Sequence, residues 1–217
     1  QIKVKGSGLC EFHSGRIINE YTLNNMFKIK NNQIADVKCV ETDSSGIYVN
    51  NQAYRSKVYL VNRGNGWIAV NQLSLEDYVA SVVGAEMPSL WNMEALKAQA
   101  VAARSYALAH IARPANKDFD LGDTTRWQAY RGISSQTSRS TQATQATKGI
   151  VLRYKGGIVE SLYASTADIS LQAHGHLGAS MSQHGAQQLA RRGLKFNEIL
   201  ARYYTGASLA KLQSRGN

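Results

Sequence analysis

The segment from Asn92 to His110 constrains this chain more than any other. Alanine stands at positions 95, 98, 100, 102, 103, 107 and 109, so the segment reads as a helix whose side chains are mostly too small to hold neighbours at a distance. Neighbouring elements must then pack close to its backbone, as around a buried central helix. Arg113-Pro114 ends it. A second helix precedes it. Leu75, Tyr78, Val79, Val82 and Val83 fall at i, i+3, i+4, i+7 and i+8, one apolar face of a helical cylinder. Ser74 is a good N-cap with Asp77 three residues on, an approximate capping box. Glu76 and Asp77 suit the positive end of the helix dipole, and Pro88 keeps the two helices from merging.

Before Ser74 the pattern is that of strands. Ile47 and Val49 alternate, as do Val58 and Leu60, and Arg63-Gly64-Asn65-Gly66 is a turn signal ahead of Trp67-Ile68-Ala69-Val70. Residues 111–140 read as an irregular loop, and 141–148 as a short helix closed by Gly149. Ile150–Tyr154 and Ile158–Tyr163 read as a hairpin across Lys155-Gly156-Gly157. Gln183–Arg192 and Phe196–Tyr204 read as helices stopped by Gly193 and Gly206. The expected class is α+β: central Ala-rich helices packed with antiparallel strands, a β-rich accessory region over residues 1–72, and a core over 73–217.

At 217 residues the chain can bury one sizeable core. Its formal charge of +10 asks for an anionic partner. Lys and Arg are scattered, without a basic run or a nucleic-acid-binding fingerprint, which argues against nucleic acid. No apolar stretch approaches the roughly 18 residues of a membrane span. Cys10 and Cys39, the only cysteines, have no ligand-spaced neighbour. A secreted protein could bridge them, but the preferred reading is two unpaired core residues.

Among the titratable residues Glu86 stands out. It lies at the C-terminal end of the first helix, where orphan carbonyls make the local field negative and raise a carboxyl pKa. Met87, Leu90 and Trp91 are expected to keep water from it, which acts in the same direction. A carboxylic acid held protonated near neutral pH can protonate a glycosidic oxygen; the plainer alternative is a solvated Glu at a helix end.

Three runs carry a resemblance. They are Leu75-Glu76-Asp77-Tyr78-Val79, Gly84-Ala85-Glu86-Met87-Pro88, and the ungapped stretch from Glu94 to Leu108, EALKAQAVAARSYAL. Asp123-Thr124-Thr125 with Gln128 and Tyr130, Met181-Ser182-Gln183-His184-Gly185-Ala186, and Tyr203-Tyr204-Thr205-Gly206 extend it. Together they resemble the SpoIID/LytB family over roughly residues 54–210. The resemblance implies a peptidoglycan lytic transglycosylase, secreted or held in the bacterial cell envelope by a signal or anchor outside this sequence. Glu86 takes the place of the family's catalytic acid. One carboxyl group suffices for that chemistry, because the C6 hydroxyl of muramic acid attacks in place of water and leaves a 1,6-anhydro end; hydrolases use two.

The implied partners are peptidoglycan glycan strands, and the implied sugar contacts are Gln99, Arg104, Tyr106, Asp123, Thr124, Thr125, Gln128, Tyr130, Ser165, His174, His176, Ser182 and Gln183. Several have plainer alternatives: a structural ion pair for Arg104, core-edge packing for Tyr106 and Tyr130, and a helix cap for Ser182. Gln99, polar within an Ala-rich helix, is expected to be hydrogen-bonded. The chain departs from the family in three places. The Cys pair of metal-binding members falls at Gly122 and Trp127 here, so no metal or other cofactor is expected and His110 and His174 are lone histidines. The run His174-Gly175-His176-Leu177-Gly178-Ala179-Ser180-Met181-Ser182-Gln183 carries two extra residues, leaving open which histidine takes the family position. Ser165-Thr166 is followed by Ala167-Asp168, and the stretch to His174 is short. The runner-up function is a non-catalytic wall-binding module or an activator of a cell-wall amidase.

Overall fold

The computed structural model describes residues 2–6, 8–14, 17–22, 27–29, 36–63, 66–114, 116–166 and 180–213. The fold is α+β. By internal contacts the chain divides into two compact units, residues 1–77 with 131–134, and residues 78–130 with 135–217.

The first unit is built of antiparallel strands. One sheet orders β3 (Ile17–Thr22), β2 (Gly8–Ser14), β5 (Val37–Glu41), β8 (Lys57–Asn62) and β9 (Trp67–Gln72); the other orders β4 (Phe27–Ile29), β1 (Ile2–Gly6), β6 (Ile47–Val49) and β7 (Gln52–Tyr54). The alternation at Ile47/Val49 and Val58/Leu60 places these residues in a core with Val37, Cys10 and Cys39. Arg63 N–H bonds the Gly66 carbonyl at 2.9 Å, closing the β8–β9 turn. Cys10 and Cys39 correct the sequence reading: they are fully buried and form a disulfide. The register of β2 on β5 sets them directly opposite each other, with Cα atoms 4.1 Å apart. Sequence spacing alone carries no information about that register.

In the second unit α1 (Leu75–Glu86) and α2 (Met93–Ile111) match the expected helices. Ser74 Oγ accepts from Asp77 N–H, and Asn92 caps α2 through Glu94 N–H. Val79, Val82 and Val83 are fully buried. Gly84 lets α1 lie against the Ser135 carbonyl, which a Cβ at that position would strike. Around α2 pack α3 (Ser138–Ala146), β10 (Ile150–Tyr154), α4 (Gln183–Arg191) and α5 (Phe196–Tyr203). Almost the whole of α2 from Ala95 to Ala109 is buried, as its small side chains require.

The helix expected at 141–148 starts earlier, at Ser138. Thr137 and Ser140 form a reciprocal capping box there. The expected hairpin is shorter than the sequence suggested: β11 is only Gly157–Ile158. The chain then leaves that sheet, and β12 (Leu162–Ala164) pairs in parallel with β13 (Ser180–Ser182). Two hydrogen bonds draw it away, Ser161 Oγ to the Ala102 carbonyl at 2.7 Å and Tyr204 Oη to the Leu162 carbonyl at 2.6 Å. The free edge of β10 is taken instead by β14 (Ser208–Lys211).

Candidate functional site

Glu86 is the last residue of α1 and is half-buried, and Met87, the next residue, is buried. One carboxylate oxygen accepts the Ala129 backbone N–H at 2.8 Å; the other accepts from Gln183 Nε2 at 3.4 Å. Burial raises its pKa above the ordinary carboxyl value, and these two hydrogen bonds oppose the shift without cancelling it.

The turn after Glu86 is held firmly. Arg139 donates from Nε to the Ser89 carbonyl at 2.7 Å and from Nη2 to the Trp91 carbonyl at 2.8 Å. Trp91 meets the His184 ring edge-on at 4.8 Å, and Asn92 N–H bonds Gln187 Oε1 at 2.8 Å. These contacts fix the start of α4 next to the end of α1, which brings Gln183 to Glu86. Leu90 does not shield the carboxyl as expected. It is 88% exposed, because the clamped turn points it to solvent.

A cluster of tyrosines completes the surroundings. Tyr78 Oη donates to Gln128 Oε1 at 3.0 Å, and Gln128 Nε2 donates to the Ala103 carbonyl at 3.2 Å and to Tyr163 Oη at 2.8 Å. The negative charge of Glu86 contributes to raised phenol pKa values at both Tyr78 and Tyr163, after the larger effect of burial. Tyr130 stacks on Tyr78 with centroids 5.2 Å apart. Tyr106 packs on His110 at 4.4 Å; burial, then the charge of Glu160, pushes its pKa up to about 12.

The residues singled out from sequence therefore separate. Glu86, Gln183, Gln128 and Tyr130 come together. Gln128 is fully buried with both ends of its amide engaged, so it organises the tyrosines from within. Arg104 is also fully buried, giving its guanidinium to the carbonyls of Ala100, Ile150 and Thr144 and tying α2 to α3 and β10. Gln99 corrects the expectation of a hydrogen bond: its buried side-chain amide has no partner among the described residues. It lies on the face of α2 one turn before Ala103, the carbonyl that receives Gln128. Asp123, Thr124 and Thr125 are exposed, while the backbone carbonyls of Asp123 and Thr124 hold the loop through Tyr130 and Trp127 N–H groups. Ser182 caps α4 through Gly185 N–H. Exposed Ser165 accepts His184 N–H at its carbonyl. His174 and His176 lie outside the described residues.

Tyr78, Tyr163 and the Ala129 N–H escaped the sequence reading. Tyr78 could have been found from its place on α1 two turns before Glu86; a backbone N–H leaves no mark in a sequence. The positions of the family's Cys pair do not suit zinc. The Trp127 indole lies over Gly122, where a side chain would begin, and His110 meets that indole edge-on at 5.4 Å. No group of three or more His, Cys, Asp or Glu gathers among the described residues.

Comparison with known proteins bears on the same segment. The sequence model of the SpoIID family, described as stage II sporulation protein, matches residues 63–154, which include Glu86, α2 and Gln128. An uncharacterized protein of Brachyspira hyodysenteriae is 36% identical over 144 residues, 65% of this chain and 39% of that protein. The amidase enhancer of Bacillus subtilis is 40% identical over 85 residues, 39% of this chain and 11% of its own length. Stage II sporulation protein D of Bacillus subtilis is 34% identical over 115 residues, 46% of this chain and 34% of its own. The chain thus spans about two fifths or less of the length of these three relatives. The resemblance to the SpoIID family is thus shown over residues 63–154, about two fifths of this chain.

Proposed function

We propose that this protein works on the bacterial cell wall and cuts the glycan strands of peptidoglycan, with Glu86 as the acid and base of a lytic transglycosylase. The observation that carries this reading is a carboxyl group that remains reachable, has a raised pKa, and is fixed by two neutral donors, Ala129 N–H and the Gln183 amide. Protonated, Glu86 gives its proton to the glycosidic oxygen as the bond from that oxygen to C1 of muramic acid breaks. The C6 hydroxyl of the same sugar then bonds to C1 and returns its proton to the Glu86 carboxylate. The acid is regenerated and no water is consumed, so the chemistry asks for no second carboxylate.

Location in the cell envelope is part of the proposal. The Cys10–Cys39 disulfide supports it, since such bonds persist mainly in oxidising compartments. The net charge of +10 suits an anionic polymer. No helix among the described residues is long and apolar enough to cross a membrane.

A second reading has its own support in the 40% identity to an amidase enhancer. In it the protein binds the wall and assists an amidase, and Glu86 performs no proton transfer. Glu86→Gln separates the two. The amide keeps the size and the Ala129 hydrogen bond but cannot donate the proton, and general acid–base catalysis is worth about 100- to 10,000-fold. Loss of strand cleavage by that margin with wall binding retained is the expected result; unchanged cleavage by the variant removes Glu86 from the mechanism.

A further inference from the structure

Ala129 N–H, one of the two donors that fix the Glu86 carboxylate, belongs to a stretch with neither helix nor strand. Residues 123–126 are exposed. The backbone bonds of this stretch close on itself, Trp127 N–H to the Thr124 carbonyl at 2.8 Å and Tyr130 N–H to the Asp123 carbonyl at 3.3 Å. Such bonds shape a loop without deciding where on the protein it lies; side chains decide that. Tyr130 stacks on Tyr78 of α1, and Gln128 donates to the Ala103 carbonyl of α2. These two contacts hold the chain after Ala129 and one side chain before it. The peptide that carries the Ala129 N–H is planar but turns about the soft dihedrals on either side, so its direction also depends on how the chain enters Gln128.

Trp127 governs that entry. Its half-buried indole lies on Gly122, where an added Cβ would stand 2.5 Å from Cδ1 and 2.7 Å from Nε1, so the loop closes on a residue with no side chain. The indole also meets the ring of His110, in the last turn of α2, at 90° with centroids 5.4 Å apart, an edge-to-face pair. His110 is a firm partner. Tyr106 packs on it at 4.4 Å, Glu160 Oε1 lies 3.2 Å from its Nε2, and Glu160 is held in turn by Arg113 at 2.8 Å. We propose that Trp127 is a positioning residue for Glu86: seated between Gly122 and His110, its indole fixes the loop so that the Ala129 N–H is aimed at the carboxylate. The indole is uncharged, so it acts on Glu86 through the place of that N–H and not through a field. The proposal deepens the glycan-cutting reading, on which the catalytic use of Glu86 rests, by naming what holds one of its two donors.

The test follows the Ala129 amide of the full chain by NMR. In wild type its proton is expected to move downfield as Glu86 ionises, since a hydrogen bond to a charged carboxylate is the shorter and stronger one, and Glu86→Gln is expected to remove that titration. Trp127→Ala is expected to remove it too, with Glu86 still present, and to speed hydrogen exchange at Ala129 by about tenfold or more, the upper worth of one edge-to-face contact. Amides in the middle of α2 keep their protection. Gly122→Ala puts a methyl group where the indole sits and is expected to act in the same way, with no further loss when the two changes are combined. Trp127→Phe, which keeps a ring against His110, restores the titration, and strand cleavage falls and recovers with it. Thermal melts confirm folding, and Gly122→Ala, a change of one methyl group, carries the test where Trp127→Ala melts too low. A Trp127 that is merely structural would lower the melting temperature and leave the titration of folded molecules unchanged. An Ala129 amide blind to Glu86 in wild type, or one that titrates and exchanges as in wild type in either folded variant, overturns the positioning role. Wild-type protein that leaves strands uncut, with the amide results as expected, would overturn the cutting reaction and leave the link from Trp127 to Glu86 standing.

Discussion

At Glu86 burial raises the carboxyl pKa while Ala129 N–H and Gln183 lower it, and burial wins. The same balance has a consequence for stability. A carboxyl whose folded pKa is raised binds its proton more tightly in the folded than in the unfolded chain, so the folded state is penalised for ionising it. That penalty is absent below the ordinary carboxyl value and develops as pH rises through the raised one. Glu86→Gln is therefore expected to melt higher than wild type at neutral pH, with the gain shrinking as pH falls to about 4; melts across that range check it. Arg104 makes the opposite case, a charged residue whose work is internal. Its guanidinium serves carbonyls on three elements, α2, α3 and β10, from a fully buried position. Lysine cannot reproduce a planar fork, and Arg104→Lys is expected to cost about 2–3 kcal/mol in denaturant unfolding. Activity per folded molecule should hold; a specific loss of glycan affinity without a loss of stability would return Arg104 to the binding surface.

Among the elements, α1 and α2 were legible because each carries its own signal: a spaced apolar face with a cap for α1, and alanine density for α2. The strand β14 was not, since Ser208–Lys211 is largely exposed and shows no in-and-out alternation. The parallel pairing of β12 with β13 escaped for a different reason: its determinants, Ser161 on Ala102 and Tyr204 on Leu162, join residues 42 to 59 positions apart. Within the candidate site the same division holds. Glu86 and Gln183 sit in recognisable motifs, whereas Tyr163 acquires its place only through that unforeseen pairing. Glu94 shows how elements are tied. Partial burial would raise its pKa, but Lys97 Nζ at 2.8 Å, Phe196 N–H at 2.9 Å and the nearby Lys195 charge hold it below the ordinary value. The carboxylate thereby joins the start of α2 to the first turn of α5. Glu94→Ala is expected to destabilise the fold by about 1–2 kcal/mol at neutral pH. Because the folded pKa is depressed, that contribution is present above the ordinary carboxyl value and fades as pH falls through the folded one. Equal unfolding midpoints for variant and wild type at neutral pH would show that the tie contributes nothing.

On the scale of the whole molecule, the chain forms two compact units. The first is a disulfide-linked set of antiparallel sheets; the second surrounds an Ala-rich helix and holds every described residue of the candidate site. The resemblance to the SpoIID family over residues 63–154, a basic chain and a carboxyl with a raised pKa support the proposed chemistry, in which the substrate supplies its own nucleophile. That claim is open to a single measurement. Purified glycan strands are digested by the wild-type protein in water enriched in heavy oxygen, and the new ends are weighed by mass spectrometry. The account predicts 1,6-anhydro ends, lighter than a reducing end by one water and free of label. Labelled reducing ends would mean that water attacks and the reaction is hydrolysis; intact strands would mean that the protein binds the wall without cutting it.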